Sequence, residues 1–212
     1  MKKHLLNFFS ALLLTTGAFS QAVEQGDIII ETTYGFPNYL TYATRSAARQ
    51  LNSQYTNSKV TTGGIGPIAV KFEYLIADKV GVGLTIGYAN TWAKATEFYS
   101  NAPNTPAQEY WVKISAPRYR IMPKFNFHFG NATKFDAYTS LGIGYFNMEI
   151  TQESNDNTIN LNNINGDLVW NLPVAFRFAI GGRYFFTENI GIMMEMGFLG
   201  GGLLESGVSA KF

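Results

Sequence analysis

His128 is the side chain best suited to general-base chemistry near neutral pH, and His4 is the only other histidine in the chain. A base needs a nucleophile within hydrogen-bond reach, and no serine stands beside it in Phe127-His128-Phe129. A partner brought near in space stays open, but the flanking aromatics and the turn expected at 130–134 point to a structural role. Metal chemistry has less to work with. Cysteine is absent, and the scattered acids Glu97, Glu109, Asp156 and Asp167 lack calcium-loop spacing. Gly81-Val82-Gly83 has no helix after it and does not read as a phosphate loop. No catalytic, cofactor or metal residue is assigned. A formal net charge of +1 gives no reason to expect nucleic acid.

The charged residues show a different order. Glu31, Lys71, Glu73, Arg118, Arg120, Lys124, Asp136, Arg177, Arg183, Glu195, Glu205 and Lys211 all lie within segments of alternating hydrophobicity, on the parity opposite the apolar set. Eight such segments are predicted, at residues 27–36, 67–76, 80–90, 111–129, 135–147, 170–186, 190–199 and 203–212. In the third, Val80, Val82, Leu84, Ile86 and Tyr88 oppose Gly81, Gly83, Thr85 and Gly87. The connections 77–79, 130–134 and 187–189 are tight. Those at 37–66, 91–110 and 148–169 are long and polar, and the one at Gly200 is short. An even number of strands, with short turns at one end and long loops at the other, is the pattern of an outer-membrane barrel.

In such a barrel an Arg or Lys facing lipid at mid-bilayer costs about 2–4 kcal/mol, which explains a charge-free outer parity. The charges would then form a paired network in the lumen, because a lone buried charge is expensive. Inward glycines Gly81, Gly83, Gly87, Gly142, Gly144 and Gly197 would make room for the long side chains. Two aromatic girdles are expected. Tyr74, Phe127, Phe129, Phe135, Tyr184, Phe186 and Phe212 mark the turn end; Tyr34, Phe36, Tyr88, Trp111, Tyr145, Trp170 and Phe198 mark the loop end. Pro123 and Pro173 fall inside predicted strands and each removes a ladder donor, so a local defect or bulge is expected at Pro123.

The two ends fit export. Lys2, Lys3 and His4 precede a short apolar run and the small residues Ala18 and Ser20, which reads as a signal peptide over residues 1–20, cleaved before Gln21 or as late as Val23. Loss of Lys2 and Lys3 leaves 14 basic against 15 acidic side chains, from the 16 and 15 of the whole chain. Residues 21–212 are read as one barrel domain. The absence of cysteine leaves an exported chain without disulfides.

The runs RYRIMPKFNFHFG (118–130), FDAYTSLGIGY (135–145), GGRYFFTENIGI (181–192) and the terminal SGVSAKF resemble the small eight-stranded bacterial outer-membrane barrels of the OmpA/OmpX type. The resemblance implies an all-β, eight-stranded antiparallel up-and-down transmembrane barrel in the outer membrane of a Gram-negative cell envelope. It also implies that the barrel insertion machinery reads Phe212 as its signal. The expected partners are outer-membrane lipid, that machinery, and a surface partner met through the loops 37–66, 91–110 and 148–169. A non-enzymatic structural or surface-interaction role is expected, since an eight-stranded interior is just wide enough to be filled by side chains. The alternative is a narrow channel or carrier for small solutes, like the OmpW-like relatives, and a hydrophobic gap between Leu75, Met122, Pro173 and Met193 would favour it. An enzyme or a lipocalin-like soluble barrel is the third reading.

Overall fold

The computed structural model describes residues 21–54, 58–99, 107–130, 132–156 and 173–212. The expected leader, residues 1–20, lies outside these, as do Trp170 and Asp167. The elements in chain order are β1 (Ile28–Phe36), α1 (Tyr39–Gln54), β2 (Ser58–Ala77), β3 (Val80–Tyr99), β4 (Gln108–Ser115), β5 (Arg118–His128), β6 (Phe135–Met148), β7 (Thr151–Ser154), β8 (Val174–Phe185), β9 (Ile190–Phe198) and β10 (Leu204–Lys211).

Antiparallel neighbours run β2-β1-β10-β9-β8-β6-β5-β3, and β3 pairs again with β2, so the sheet closes on itself. β4 leads into β5 across Ala116 and Pro117, and β7 follows β6. With each interrupted pair counted once, the result is a closed eight-stranded antiparallel barrel. Closure runs through β1 and β10, from Ile29 opposite Lys211 to Phe36 opposite Leu204. Ile28 and Phe212 exchange backbone hydrogen bonds of 2.9 Å in both directions. β-branched and aromatic residues suit these pleated positions, and their period of two decides which face each occupies. In β9 the burial alternates without a break, with Met194 and Met196 exposed and Met193 and Glu195 buried.

Among the described residues, the connections predicted as long and polar contain regular elements, while 55–57, 100–106 and 157–169 lie outside the described residues. β2 and β3 each run for 20 residues, where about 9–11 would cross a bilayer. Their outer halves, with β4 and β7, form a sheet that stands above the barrel rim. The register shifts by one residue between Ile65 and Ile68, where β2 leaves the barrel and Gly66 takes a φ of 77°. The polar stretch 37–66 therefore consists largely of a helix and the start of β2. Asn38 caps α1 by accepting from the Thr41 N–H at 3.3 Å. The Asn52 side chain fixes the other end, donating to the Val60 carbonyl at 2.8 Å and accepting from its N–H at 2.6 Å. Ala48 is buried on the side of α1 that meets β2 and β3.

Pro123 makes a local defect within an unbroken strand, as expected, whereas Pro173 lies outside the strand predicted to contain it. Pro123 lies opposite Leu84 on one side. On the other side the ladder skips from Ile121–Tyr145 to Lys124–Gly142 with no change of register. The missing N–H opens a gap there without adding a residue, so no bulge forms. Pro173 lies just before β8, where its carbonyl accepts from the Phe146 N–H at 3.1 Å.

At the turn end the segment before β1 folds under the barrel. Ala22 and Val23 join Ile29, Leu75 and Phe185 in an apolar cluster, while Lys211 donates to the Ala22 carbonyl at 2.8 Å. The closing register can be checked with cysteines, since the chain has none. Tyr34→Cys with Ser206→Cys, which face each other across β1 and β10, should form a disulfide seen as altered mobility on a non-reducing gel. Ile30→Cys with Ser206→Cys, four residues out of register by the same pairing, should not.

Candidate functional site

Among the described residues, the barrel interior is where charged side chains are gathered away from water. Alternation turns Glu31 of β1, Glu73 of β2, Lys124 and His128 of β5, Asp136 of β6 and Arg183 of β8 into the turn-end half, and each of the six is buried. Arg183 is the hub. Its Nε donates to Glu31 at 2.7 Å, its Nη1 to Asp136 at 2.9 Å and its Nη2 to Glu73 at 2.5 Å. The planar fork of a guanidinium suits three acceptors at once, which a lysine cannot match. The Tyr138 ring lies 4.2 Å from the Arg183 Cζ and covers its face.

His128 sits between two of the same carboxylates, with Nδ1 2.8 Å from Asp136 and Nε2 2.9 Å from Glu73. Ionised carboxylate oxygens only accept, so between two of them the ring donates from both nitrogens. No lone pair is left for a general base. The sequence left a spatial serine partner open; both positions such a partner could take are filled by Glu73 and Asp136.

A second cluster lies nearer the loop end. Lys71 bridges Glu195 and Glu205 at 3.0 and 2.9 Å. Arg177 approaches the same two acids at 2.8 and 3.3 Å, and Arg120 donates to Glu205 at 3.1 Å. The Tyr138 hydroxyl donates to Glu195 at 3.0 Å, linking this cluster to the first. The glycine-rich turn after β9 is drawn inward over it. Arg120 donates to the Gly200 carbonyl, and Arg177 donates to those of Leu199 and Gly202 at 3.2 Å each.

Arg118 and Lys211 lie at the two ends of this system. Arg118 donates to neutral acceptors, the Asn38 Oδ1 at 2.9 Å and the Thr91 hydroxyl at 3.0 Å. Lys211 is at the turn-end rim, 3.6 Å from Asp27. The inward glycines do different work. A Cβ at Gly197 would fall 2.5 Å from the Arg177 Cζ, one at Gly87 2.9 Å from the Arg120 Cγ, and one at Gly81 2.9 Å from the Glu73 Cδ. At Gly83 and Gly144 the obstacle is chiefly the carbonyl of the neighbouring strand. Gly142 has only ordinary contact with Met122 at 3.5 Å.

Outside, no charged side chain faces away from the barrel on the described strands between the two rims. Tyr74, Phe127, Phe129, Phe135, Tyr184, Phe186 and Phe212 are exposed around the turn end, and Tyr34, Phe36, Tyr145 and Phe198 toward the loop end, with Tyr88 half-buried. Trp111 lies elsewhere. It pairs with Thr96, eight residues along β3 from Tyr88, on the sheet above the rim, where the Lys94 ammonium lies 4.6 Å from its ring. Leu75, Met122 and Met193 point inward, but Leu75 is enclosed by the turn-end apolar cluster and Pro173 is exposed at the other end. These four residues line no common gap. Sequence reasoning missed Tyr138, although its parity with Asp136 and Ser140 was readable, and it missed Asn38 and Thr91.

No family model and no curated protein matches the chain. Among solved structures it is similar to the N-terminal β-barrel domain of Pseudomonas aeruginosa OprF, at 13% identity over 90% of this chain and 100% of that one, with a TM-score of 0.43. It is also similar to the outer membrane protein OprG from Pseudomonas aeruginosa, at 11% identity over 91% and 98%, with a TM-score of 0.45. Ail, the attachment invasion locus protein of Yersinia pestis, gives 11% identity over 89% and 99%, with a TM-score of 0.38. These likenesses concern the fold alone, and closure of the barrel rests on its own strand pairing.

Removing the hub should strand three buried carboxylates. Arg183→Gln is expected to lower the unfolding free energy by about 3–5 kcal/mol, read from the urea midpoint of the refolded protein. Lys113→Gln breaks a half-exposed pair with Glu153 at 3.1 Å and should cost less than about 1 kcal/mol.

Proposed function

We propose that the chain is a non-enzymatic integral barrel of the bacterial outer membrane, exported by a signal peptide over residues 1–20 and acting through what it displays at its loop end. One observation carries this reading: between the two rims the charges of the described strands face the interior, while the outer face is apolar and uncharged. A soluble barrel has no use for that inversion, whereas a lipid environment requires it. The exposed aromatics near both rims suit the two membrane interfaces. Phe212, exposed and held at the seam by its backbone, suits a signal read by the barrel insertion machinery. Outer-membrane lipid and that machinery are then the partners of the barrel wall.

The interior favours a scaffold over a channel. Its two ion clusters and the apolar cluster of Ala22, Val23, Ile29, Leu75 and Phe185 follow one another along the tube. The sheet above the rim, with α1 against it, carries the described parts of 37–66, 91–110 and 148–169, the stretches that would meet a partner. Two measurements test this. The folded protein should need detergent to stay in solution and should migrate differently on a gel before and after heating. In a planar lipid bilayer it should give no reproducible single-channel steps, and regular steps would replace the scaffold reading with the channel.

A further inference from the structure

The ion pairs divide unevenly along the tube. In the turn-end half Lys124, His128 and Arg183 balance Glu31, Glu73 and Asp136. In the loop-end half Lys71, Arg118, Arg120 and Arg177 face only Glu195 and Glu205 among the described residues, an excess of two positive charges. An uncompensated charge away from water is costly, so the surplus marks a place that an anion would stabilise.

The surplus adjoins a space. A cavity of about 160 Å³ lies inside the loop-end mouth, lined by Arg118, Arg120, Phe146, Ala89, Gly87 and Gly201 among others. At roughly 30 Å³ per water it has room for about five waters. Arg120 is buried, and its Nε and that of Arg118 are both shielded from solvent with no hydrogen-bond acceptor. The Arg118 guanidinium is held in place by Asn38 and Thr91, so the donor is oriented before any ligand arrives. The rest of the wall is largely apolar, contributed by Phe146, Ala89 and the glycines.

We propose that this vestibule binds a small organic oxyanion, a carboxylate or phosphate on a short apolar body, with Arg118 and Arg120 holding the charged group. Guanidinium groups match such oxyanions through paired N–H donors. Phe146 and Ala89 would pack on the apolar part. Binding at this mouth does not require the lumen to conduct.

The test uses the full barrel in an uncharged detergent at low salt, titrated calorimetrically with butyrate and with butyl phosphate, and with butanol as the uncharged control. Saturable binding of either anion and none of butanol is expected, weakened at least about tenfold, or 1.4 kcal/mol, in Arg118→Gln. Heat-dependent gel mobility reports whether that variant folds. Ala89→Leu keeps every charge and fills the cavity, so it should lose the same binding and carries the test if Arg118→Gln fails to fold. Failure of both anions to saturate, or equal binding by the folded variants, would overturn the site while leaving the membrane scaffold intact.

Discussion

A charge inside a narrow tube of eight strands cannot turn outward to water, and every other feature of this molecule accommodates that constraint. Arg183 answers it most completely. Its three nitrogens reach carboxylates on β1, β2 and β6, so one side chain ties four strands around the circumference. Coulomb attraction alone would not compensate the desolvation of so many groups; the geometry of the fork, with each acceptor engaged, is what makes burial tolerable. The same requirement fixes where glycine must stand, since the arms of Arg120 and Arg177 pass where a Cβ at Gly87 or Gly197 would be.

The two clusters differ in finish. Around Arg183 the positive and negative groups match, and His128 is clamped between two acids. Around Arg177 and Arg120 the acids run short, and backbone carbonyls of the turn after β9 supply the remaining acceptors. A turn recruited in this way is drawn over the mouth, and Leu199 takes a left-handed φ of 62° while its carbonyl receives Arg177. A non-glycine residue in that region is uncommon and costs about 1–2 kcal/mol. The arginine bonds to the turn offset that cost.

The sequence was most legible where one face is apolar and the other is not. Period-two alternation revealed eight strands and the side of the wall each charge takes, because a slip of one residue would expose the whole set to the wrong environment. Above the rim that contrast vanishes. Residues 91–98 of β3 read as polar connection because their polar and apolar side chains do not separate onto two faces, and the helical stretch of α1 has too thin an apolar stripe to stand out from a loop. Parity also says nothing about height along the tube or the aim of a long side chain. That is why Lys71 and Glu73, side by side in β2, could not be assigned to separate clusters, why Trp111 was placed with a girdle it does not join, and why Tyr138 went unnoticed. Pro123 was recognised as a defect, but only the paired strands could show that the ladder opens without gaining a residue.

The seam between β1 and β10 sets the order in which this chain can acquire its shape. Ser209 donates to Glu31 across 178 residues of sequence, and β1 has no partner on that flank until β10 exists. Ring closure over such a length sacrifices chain entropy before it gains contacts, and non-local pairings of this kind form slowly. Until then Glu31 lacks Arg183 and Ser209 together, so the partly made wall exposes unsatisfied charge as well as an unpaired edge. Hairpins made before the seam leave that edge and that carboxylate without partners. The wall and its charge network are therefore completed by the same pairing, the one that joins the two ends of the chain.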